Sequence, residues 1–400
     1  MRSFCNLHFG RQILGLSLGV IFTSYSFASS PKPEFRKLVK SASVPVTEGH
    51  YIVVLEENES FQSFKPLLSS PMQHTYTEVF QGFSAKLNIS DLKKLDADSR
   101  VEKIYETTPM YLNAEQKGVT WGLDRLDQEA LPLDTRYSWK NDGAGVTVYV
   151  IDTGVFATNS DFEGRAVSYA DLTVEKGTSK ENIDGHGHGT HVSGTIASKT
   201  YGVAKASKIV GIKVFDSQGS EADDATILAG VDVAMKHHKE FQTKAVMNLS
   251  LGGEASDVFD AGLKKAIESG ITVVVAAGNE SMDACQTSPA RLPEAVTVGA
   301  TNRSDKLAFF SNFGPCVDIL APGVGIVSNL NRNSGSQTMD GTSMASPHVA
   351  GVAALVLSAH PEFSPSEVSE FMVDQAVEGR IKTQDKTVNR FVSTLWNRPE

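Results

Sequence analysis

The chain has 400 residues, 40% of them hydrophobic, and a formal net charge of −10. That length supports two or three folded units and a core large enough to hold without cross-links. The acidic balance argues against nucleic acid or an anionic membrane as a partner.

Residues 1–28 read as a secretory signal peptide. Arg2 and Arg11 precede an apolar run from Ile13 to Phe22, and Ser26-Phe27-Ala28 offers small residues for cleavage after Ala28. The run is short for a membrane span, so the protein is expected outside the cell, with no membrane association once the signal is removed. Residues 29–47, rich in Ser, Pro and Lys, read as a linker. From 48 to 114 the pattern predicts a small α+β unit. Tyr51–Leu55 and Val101–Tyr105 read as strands, and Phe80–Leu87 alternates like a half-buried strand. Phe61–Leu68 has helical spacing, and Ser90 reads as the N-cap of a helix carrying Leu92 and Leu95.

From 115 to 400 the pattern changes. Val146–Ile151, Ile209–Phe215, Ala245–Leu249 and Ile271–Ala276 are short, β-branched and apolar, as suits a parallel sheet covered on both faces. Helical stretches lie at Gly189–Ser198, Asp223–His238, Asp257–Ser269 and Ser343–Ala359, with Pro347 placed in the first turn of the last. The alternation predicts a doubly wound, mainly parallel α/β domain with helices on both faces.

Within this frame several segments carry chemistry. Val148-Tyr149-Val150-Ile151-Asp152-Thr153-Gly154 puts an acid at a strand end, where functional groups of open α/β sheets collect. Asp184-Gly185-His186-Gly187-His188-Gly189-Thr190-His191 offers three histidines. Gly341-Thr342-Ser343-Met344-Ala345 puts a serine at the start of an apolar helix, where backbone N–H groups face developing negative charge. A serine needs a base to take its proton, and the base needs an acid to orient it. From the residues alone any of the histidines could be that base, or they could form a metal cluster. No glutamate stands between them as in His-Glu-x-x-His. The order Asp, His, Ser opposes the Gly-x-Ser-x-Gly esterases, whose order is Ser, Asp, His. Ala276-Ala277-Gly278-Asn279 ends a strand with an amide that either forms a turn or donates to an oxyanion. Cys5 leaves with the signal peptide. Cys285 and Cys316 remain as an even pair in an oxidising compartment, either bridged or two buried thiols.

These segments, in this order, resemble the subtilase serine proteases, and more narrowly their proteinase K-like branch. The resemblance spans nearly all of residues 48–395. It implies a subtilisin-like fold preceded by a small ferredoxin-like propeptide domain. By the motif His-Gly-Thr-His, His188 matches the general base, Asp152 its orienting acid, Ser343 the nucleophile and Asn279 the oxyanion-hole amide, with no catalytic cofactor. Ser250, Leu251, Gly252 and Gly278, with Gly219 and Ser220 opposite, match the edges that pair with a polypeptide substrate as an added strand. Glu221 stands where close relatives carry a small residue and is expected to favour basic side chains at outer substrate positions. Asp318, with the carbonyls of Pro293 and Ala295, matches a structural Ca²⁺ site. Aqualysin-like members carry cysteines at matching positions, which implies a Cys285–Cys316 bridge. The propeptide is expected to act as intramolecular chaperone and inhibitor. Self-cleavage is expected at Ala114–Glu115, because Trp121-Gly122-Leu123-Asp124-Arg125 resembles the start of mature members. The whole reads as a secreted, monomeric endopeptidase of broad specificity made as a zymogen. A catalytically dead binding relative is the alternative, and the intact Asp152, His188, Ser343 and Asn279 speak against it.

Overall fold

The computed structural model describes residues 35–39, 49–107, 114–173, 184–219, 222–383 and 387–399. The expectations for the signal peptide, Ser220 and Glu221 fall outside those residues; of the expected 29–47 linker only 35–39 are described, and there Leu38–Val39 is not linker but a strand paired with Ile104 and Tyr105. The chain divides into two compact units, Met1–Pro109 and Met110–Glu400.

In the first unit, strand His50–Leu55 lies between Gly82–Lys86 and Val101–Glu106, antiparallel to both. Leu38–Val39 and Met72–Tyr76 extend the sheet at either edge. The Met72–Tyr76 strand escapes the sequence pattern because it is an edge with no fully buried residue. The helix runs Ile89–Ala97 and its N-cap is Asn88, not Ser90: the Asn88 side chain accepts from Asp91 N at 2.9 Å. Phe61–Leu67 is a 3₁₀ turn rather than an α-helix, and Pro66 within it has no N–H to give. Val53, Phe64, Phe83, Leu95 and Ile104 form the core.

The second unit is built on one large sheet. Its main strands are β1 (Val146–Asp152), β2 (Ala166–Asp171), β3 (Lys208–Lys213), β4 (Lys244–Leu249), β5 (Ile271–Ala276), β6 (Val296–Asn302) and β7 (Ile319–Pro322). They lie in the order β7-β6-β5-β4-β1-β3-β2, all parallel. The sequence pattern predicts β1, β3, β4 and β5, the continuous apolar runs. It passes over β2, whose residues alternate in exposure, and β6 and β7, which are diluted by Gly, Ala, Thr and Pro.

The helices are α1 (Trp121–Leu126), α2 (His188–Ala197), α3 (Asp224–Phe241), α4 (Asp257–Glu268), α5 (Thr342–Ala359) and α6 (Pro365–Asp374). Successive strand residues serve opposite faces. Val148, Val150, Val246 and Val274 share a core with α2 and α5. Tyr149, Ile151, Met247 and Val273 share another with α3 and α4. Helix α5 is apolar all round because it is enclosed: its membrane-like window is 83% buried. It starts at Thr342, so Pro347 is its sixth residue and lies past the first turn. The N–H that Pro347 lacks is the one that would have bonded the Ser343 carbonyl.

Three further features tie distant parts of this unit. Ala114–Lys117 pairs antiparallel with Arg136–Trp139, Ala114 opposite Trp139 and Glu115 opposite Ser138. Glu115 also meets Arg136 at 3.1 Å and Lys117 at 3.6 Å. Cys285 and Cys316 form a disulfide across a separation of 31 residues. The buried Arg125 grips Asp305 through Nε and Nη2 at 2.9 and 3.2 Å, with its guanidinium 4.4 Å from the Phe391 ring centre.

Candidate active site

β1 delivers Asp152 to the C-terminal edge of the sheet, 1% exposed. Its carboxylate accepts from Thr153 N at 2.7 Å, and its two oxygens lie 2.8 and 2.9 Å from His188 Nδ1. His188 is the first residue of α2. The helix can start this close to β1 because Gly189 has no side chain: a Cβ there would stand 2.1 Å from the Gly154 carbonyl oxygen. Asp184, a residue the sequence reading quotes without a role, fastens the turn. Its buried carboxylate accepts from Gly187 N, Thr190 N, Thr190 Oγ1 and Thr153 Oγ1, joining the start of α2 to the loop after Asp152.

Burial works against a charged His188, but the charge and hydrogen bond of Asp152, helped by Asp184, outweigh it and raise its pKa above 6.5. With Nδ1–H given to Asp152, Nε2 is the basic nitrogen, and it has no partner among the described residues. The other two histidines have separate fates. His191 is fully buried, its Nε2 donates to the Ile326 carbonyl at 3.0 Å, and burial lowers its pKa to about 4. His186 is exposed, with its ring centre 6.3 Å from that of His188, and packs on Gly219, whose φ is +67°.

Ser343 is the second residue of α5. Its Oγ donates to the Ser250 carbonyl at 3.2 Å, so no hydrogen bond to His188 is made in this resting arrangement. Handing the proton to Nε2 requires Oγ to turn away from Ser250, the kind of loose contact that tightens only with substrate bound. The Ser343 carbonyl, freed by Pro347, takes a hydrogen bond from Ser250 Oγ at 2.9 Å. Ser250 is held in turn by Asn248 Nδ2 at 3.0 Å, and Asn248 by Ser346 Oγ at 2.8 Å.

Asn279 follows β5. Its Oδ1 accepts from Thr342 N at 2.8 Å and Thr342 Oγ1 at 3.0 Å, which leaves Nδ2 facing outward. The point where a Cβ on Gly341 would stand is 3.5 Å from Ser343 N, 3.7 Å from Ser343 Cβ and 3.8 Å from Asn279 Nδ2. The missing side chain at Gly341 therefore leaves open a small space that both N–H donors and the serine border. That is the arrangement an oxyanion needs.

Beyond β4, Leu251 and Gly252 belong to no strand, and the chain pairs again only at Gly253 with Ser288. Cavities flank this segment. One of about 620 Å³ is bounded by Gly278, Asn279, Thr342 and Ser343, with the carboxylate-bearing Glu254 and Glu280 at its wall. The other, about 540 Å³, is lined by Phe215, Ile227, Leu251 and Phe259.

Asp318 lies at the head of β7. Its Oδ2 accepts from Thr297 N at 2.8 Å, and burial raises its pKa to about 6. Of the residues expected to hold Ca²⁺, this half-buried carboxylate is a hard oxygen donor of the kind Ca²⁺ takes, and Pro293 and Ala295 lie in the turn before β6.

Comparison with known proteins shows the family. The subtilase family pattern matches residues 143–393, and that of the peptidase inhibitor I9 family matches residues 50–113. The chain is 37% identical to an extracellular serine proteinase of Thermus sp. (strain Rt41A), over 92% of this chain and 95% of the relative. It is 38% identical to the alkaline serine exoprotease A of Vibrio alginolyticus, over 94% of this chain and 67% of that one. A crystal structure of a cold adapted subtilisin-like serine proteinase superposes with a TM-score of 0.65 at 43% identity, covering 71% of this chain and 100% of that chain. The chain belongs to the subtilase family of serine proteases and carries an I9-type inhibitor segment ahead of its protease unit.

Proposed function

We propose that the protein is a secreted endopeptidase that cuts peptide bonds through Asp152, His188 and Ser343 and is made as a self-processing zymogen. The observation that carries this reading is the Asp152–His188 pair set at the same sheet edge as a serine whose N–H and Asn279 Nδ2 border one open space.

An extended substrate lies along Ser250–Gly252, with Gly219 on the opposing side, and sends side chains into the cavities on either side of Leu251–Ala255. Ser343 Oγ gives its proton to His188 Nε2 and attacks the scissile carbonyl carbon. Asn279 Nδ2–H and Ser343 N–H take the oxyanion, and Asp152 stabilises the imidazolium. The imidazolium protonates the leaving amine as the C–N bond breaks. Water, deprotonated by the same histidine, then hydrolyses the acyl-enzyme.

The I9-type segment acts as folding aid and inhibitor, and the bond cut is Ala114–Glu115. Ca²⁺ held by Asp318 and the carbonyls of Pro293 and Ala295 would fasten the loop before β6 and supply no chemistry. Export of the protein accords with the names of its relatives and with the signal-like start of the chain.

Treatment with a peptidyl organophosphonate, followed by peptide mass mapping, tests the nucleophile. The adduct is expected on Ser343, with activity lost in step. Full peptidase activity in Ser343→Ala would overturn the mechanism. Sequencing of the mature N-terminus tests the cut, which should begin at Glu115.

A further inference from the structure

Residues 277–282, which carry Asn279, leave the sheet when β5 ends at Ala276. Backbone bonds of Ala277 and Ser281 and the Thr342 contacts hold parts of them, but one buried side chain from a distant loop joins both ends of the segment. Asn312 is 0% exposed, and its amide is fully used. Nδ2 donates to the Ala277 carbonyl at 2.9 Å and to Glu280 Oε2 at 2.8 Å. Oδ1 accepts from Glu280 N at 3.0 Å and Met282 N at 3.1 Å. Its backbone N–H donates to the Gly278 carbonyl at 2.9 Å. Glu280 Oε2 in turn accepts from Asn279 N at 2.8 Å. Asn312 thus bonds both neighbours of Asn279 in the chain, Gly278 through its backbone N–H and Glu280 through its side chain, and reaches Asn279 itself through the Glu280 carboxylate.

The clamp is anchored and made room for. Ser311 Oγ accepts from Ala300 N in β6 at 3.0 Å and donates to the Asn312 carbonyl at 2.9 Å, which fixes the loop to the sheet. Gly278 has φ +106°, and a Cβ there would stand 2.2 Å from Asn312 Nδ2. Its lack of a side chain serves this contact as well as the cavity wall.

We infer that Asn312 is a positioning residue for the oxyanion site, acting through Glu280 and the 277–282 backbone to aim Asn279 Nδ2. A donor that must meet the transition-state oxygen loses its effect when displaced by a fraction of an ångström, whereas ground-state binding along Ser250–Gly252 is little affected. The inference rests on the proposed role of Asn279. Asn312→Asp keeps the shape but removes both N–H donors and sets a carboxylate against Glu280.

The test is a double-mutant cycle with Asn279→Ala, read as kcat and KM on a peptide anilide with thermal midpoints measured alongside. Asn312→Asp is expected to lower kcat about 30-fold, less than outright loss of the donor, with KM within about twofold. In the Asn279→Ala background the same change should cost less than about threefold, because the group it aims is gone. Glu280→Gln added to Asn312→Asp restores a donor toward the new carboxylate and should recover about fivefold or more. The same fold-loss in both backgrounds, or a rise in KM at unchanged kcat, overturns the inference. If Asn279→Ala itself leaves kcat intact, it is the proposed function that fails. A lowered thermal midpoint with kcat unchanged in Asn312→Asp would mark a purely structural residue and also overturn it.

Discussion

The imidazole of His188 is pulled in opposite directions, and the balance sets a pH dependence. Desolvation favours the neutral ring, while Asp152 and Asp184 favour the charged one and prevail. Catalysis needs the neutral ring as base. Activity should therefore fall as pH drops through the raised pKa, with the acid limb of kcat/KM centred above 6.5, the ordinary histidine value. Asp152→Asn should lower kcat at neutral pH by about 10⁴, since it removes both the charge and the preferred tautomer. A variant whose acid limb and kcat match the parent would contradict this account. At the oxyanion site, Asn279→Ala is expected to cost about 10²–10³ in kcat with little change in KM. Legibility at this scale follows sequence distance. Asp152, His188, Ser343 and Asn279 announce themselves because each sits in its own short motif at a strand or helix end. Asp184 stands in plain view beside His188 but is ambiguous without its four donors. Asn312 is invisible, because its partners lie 30 to 35 positions away and no local pattern marks it.

Among elements, α5 shows how a helix can be adapted for chemistry. Pro347 removes one rung of the helix ladder, and the carbonyl so released belongs to the residue that carries the nucleophile. Ser250 Oγ satisfies it. Sequence reading finds the helix start to within one residue but counts Pro347 into the first turn, although it is the sixth residue of the helix. Ser250→Ala leaves that buried carbonyl without a partner. It should lower kcat several-fold and destabilise the fold by about 1–2 kcal/mol, as read from steady-state kinetics and urea unfolding. The disulfide has a related element-level role: it closes the segment 285–316, which contains Asn312. Replacing Cys285 and Cys316 by serine together is expected to cost about 3–4 kcal/mol in the chain-entropy picture. A midpoint in denaturant indistinguishable from that of the parent would refute that estimate. The strands read correctly from sequence were those buried on both faces. The strands missed are of two kinds: edges such as β2, whose residues partly look outward, and the buried β6 and β7, whose apolar pattern is diluted by Gly, Ala, Thr and Pro.

Across the protease unit, stability depends on contacts that join the beginning of the chain to its end. Arg125 in α1 reaches Asp305, past the end of β6, and lies over Phe391 near the C-terminus. The guanidinium is 1% exposed, so removing either partner strands a charge in a dry interior. Asp305→Ala should destabilise by about 3–5 kcal/mol, whereas replacing both partners with apolar residues should cost much less. Calorimetry on the single and double variants separates the outcomes. Chelator should lower the thermal midpoint of the parent but leave Asp318→Asn, already lowered, unmoved. Equal sensitivity in both would place the ion elsewhere.

The ladder formed by Ala114–Lys117 against Arg136–Trp139 has a consequence for the order of maturation. In the uncut chain the bond proposed for self-cleavage, Ala114–Glu115, lies inside this ladder, and a backbone committed to one neighbour cannot also lie as the added strand along Ser250–Gly252, so the proposed cut requires the hairpin to open there first. The Arg136 and Lys117 cations pair with the Glu115 side chain and hold the ladder closed next to that bond. Loosening those two pairs, as Glu115→Gln does, should therefore speed the proposed cut, read as the rate at which the precursor band disappears.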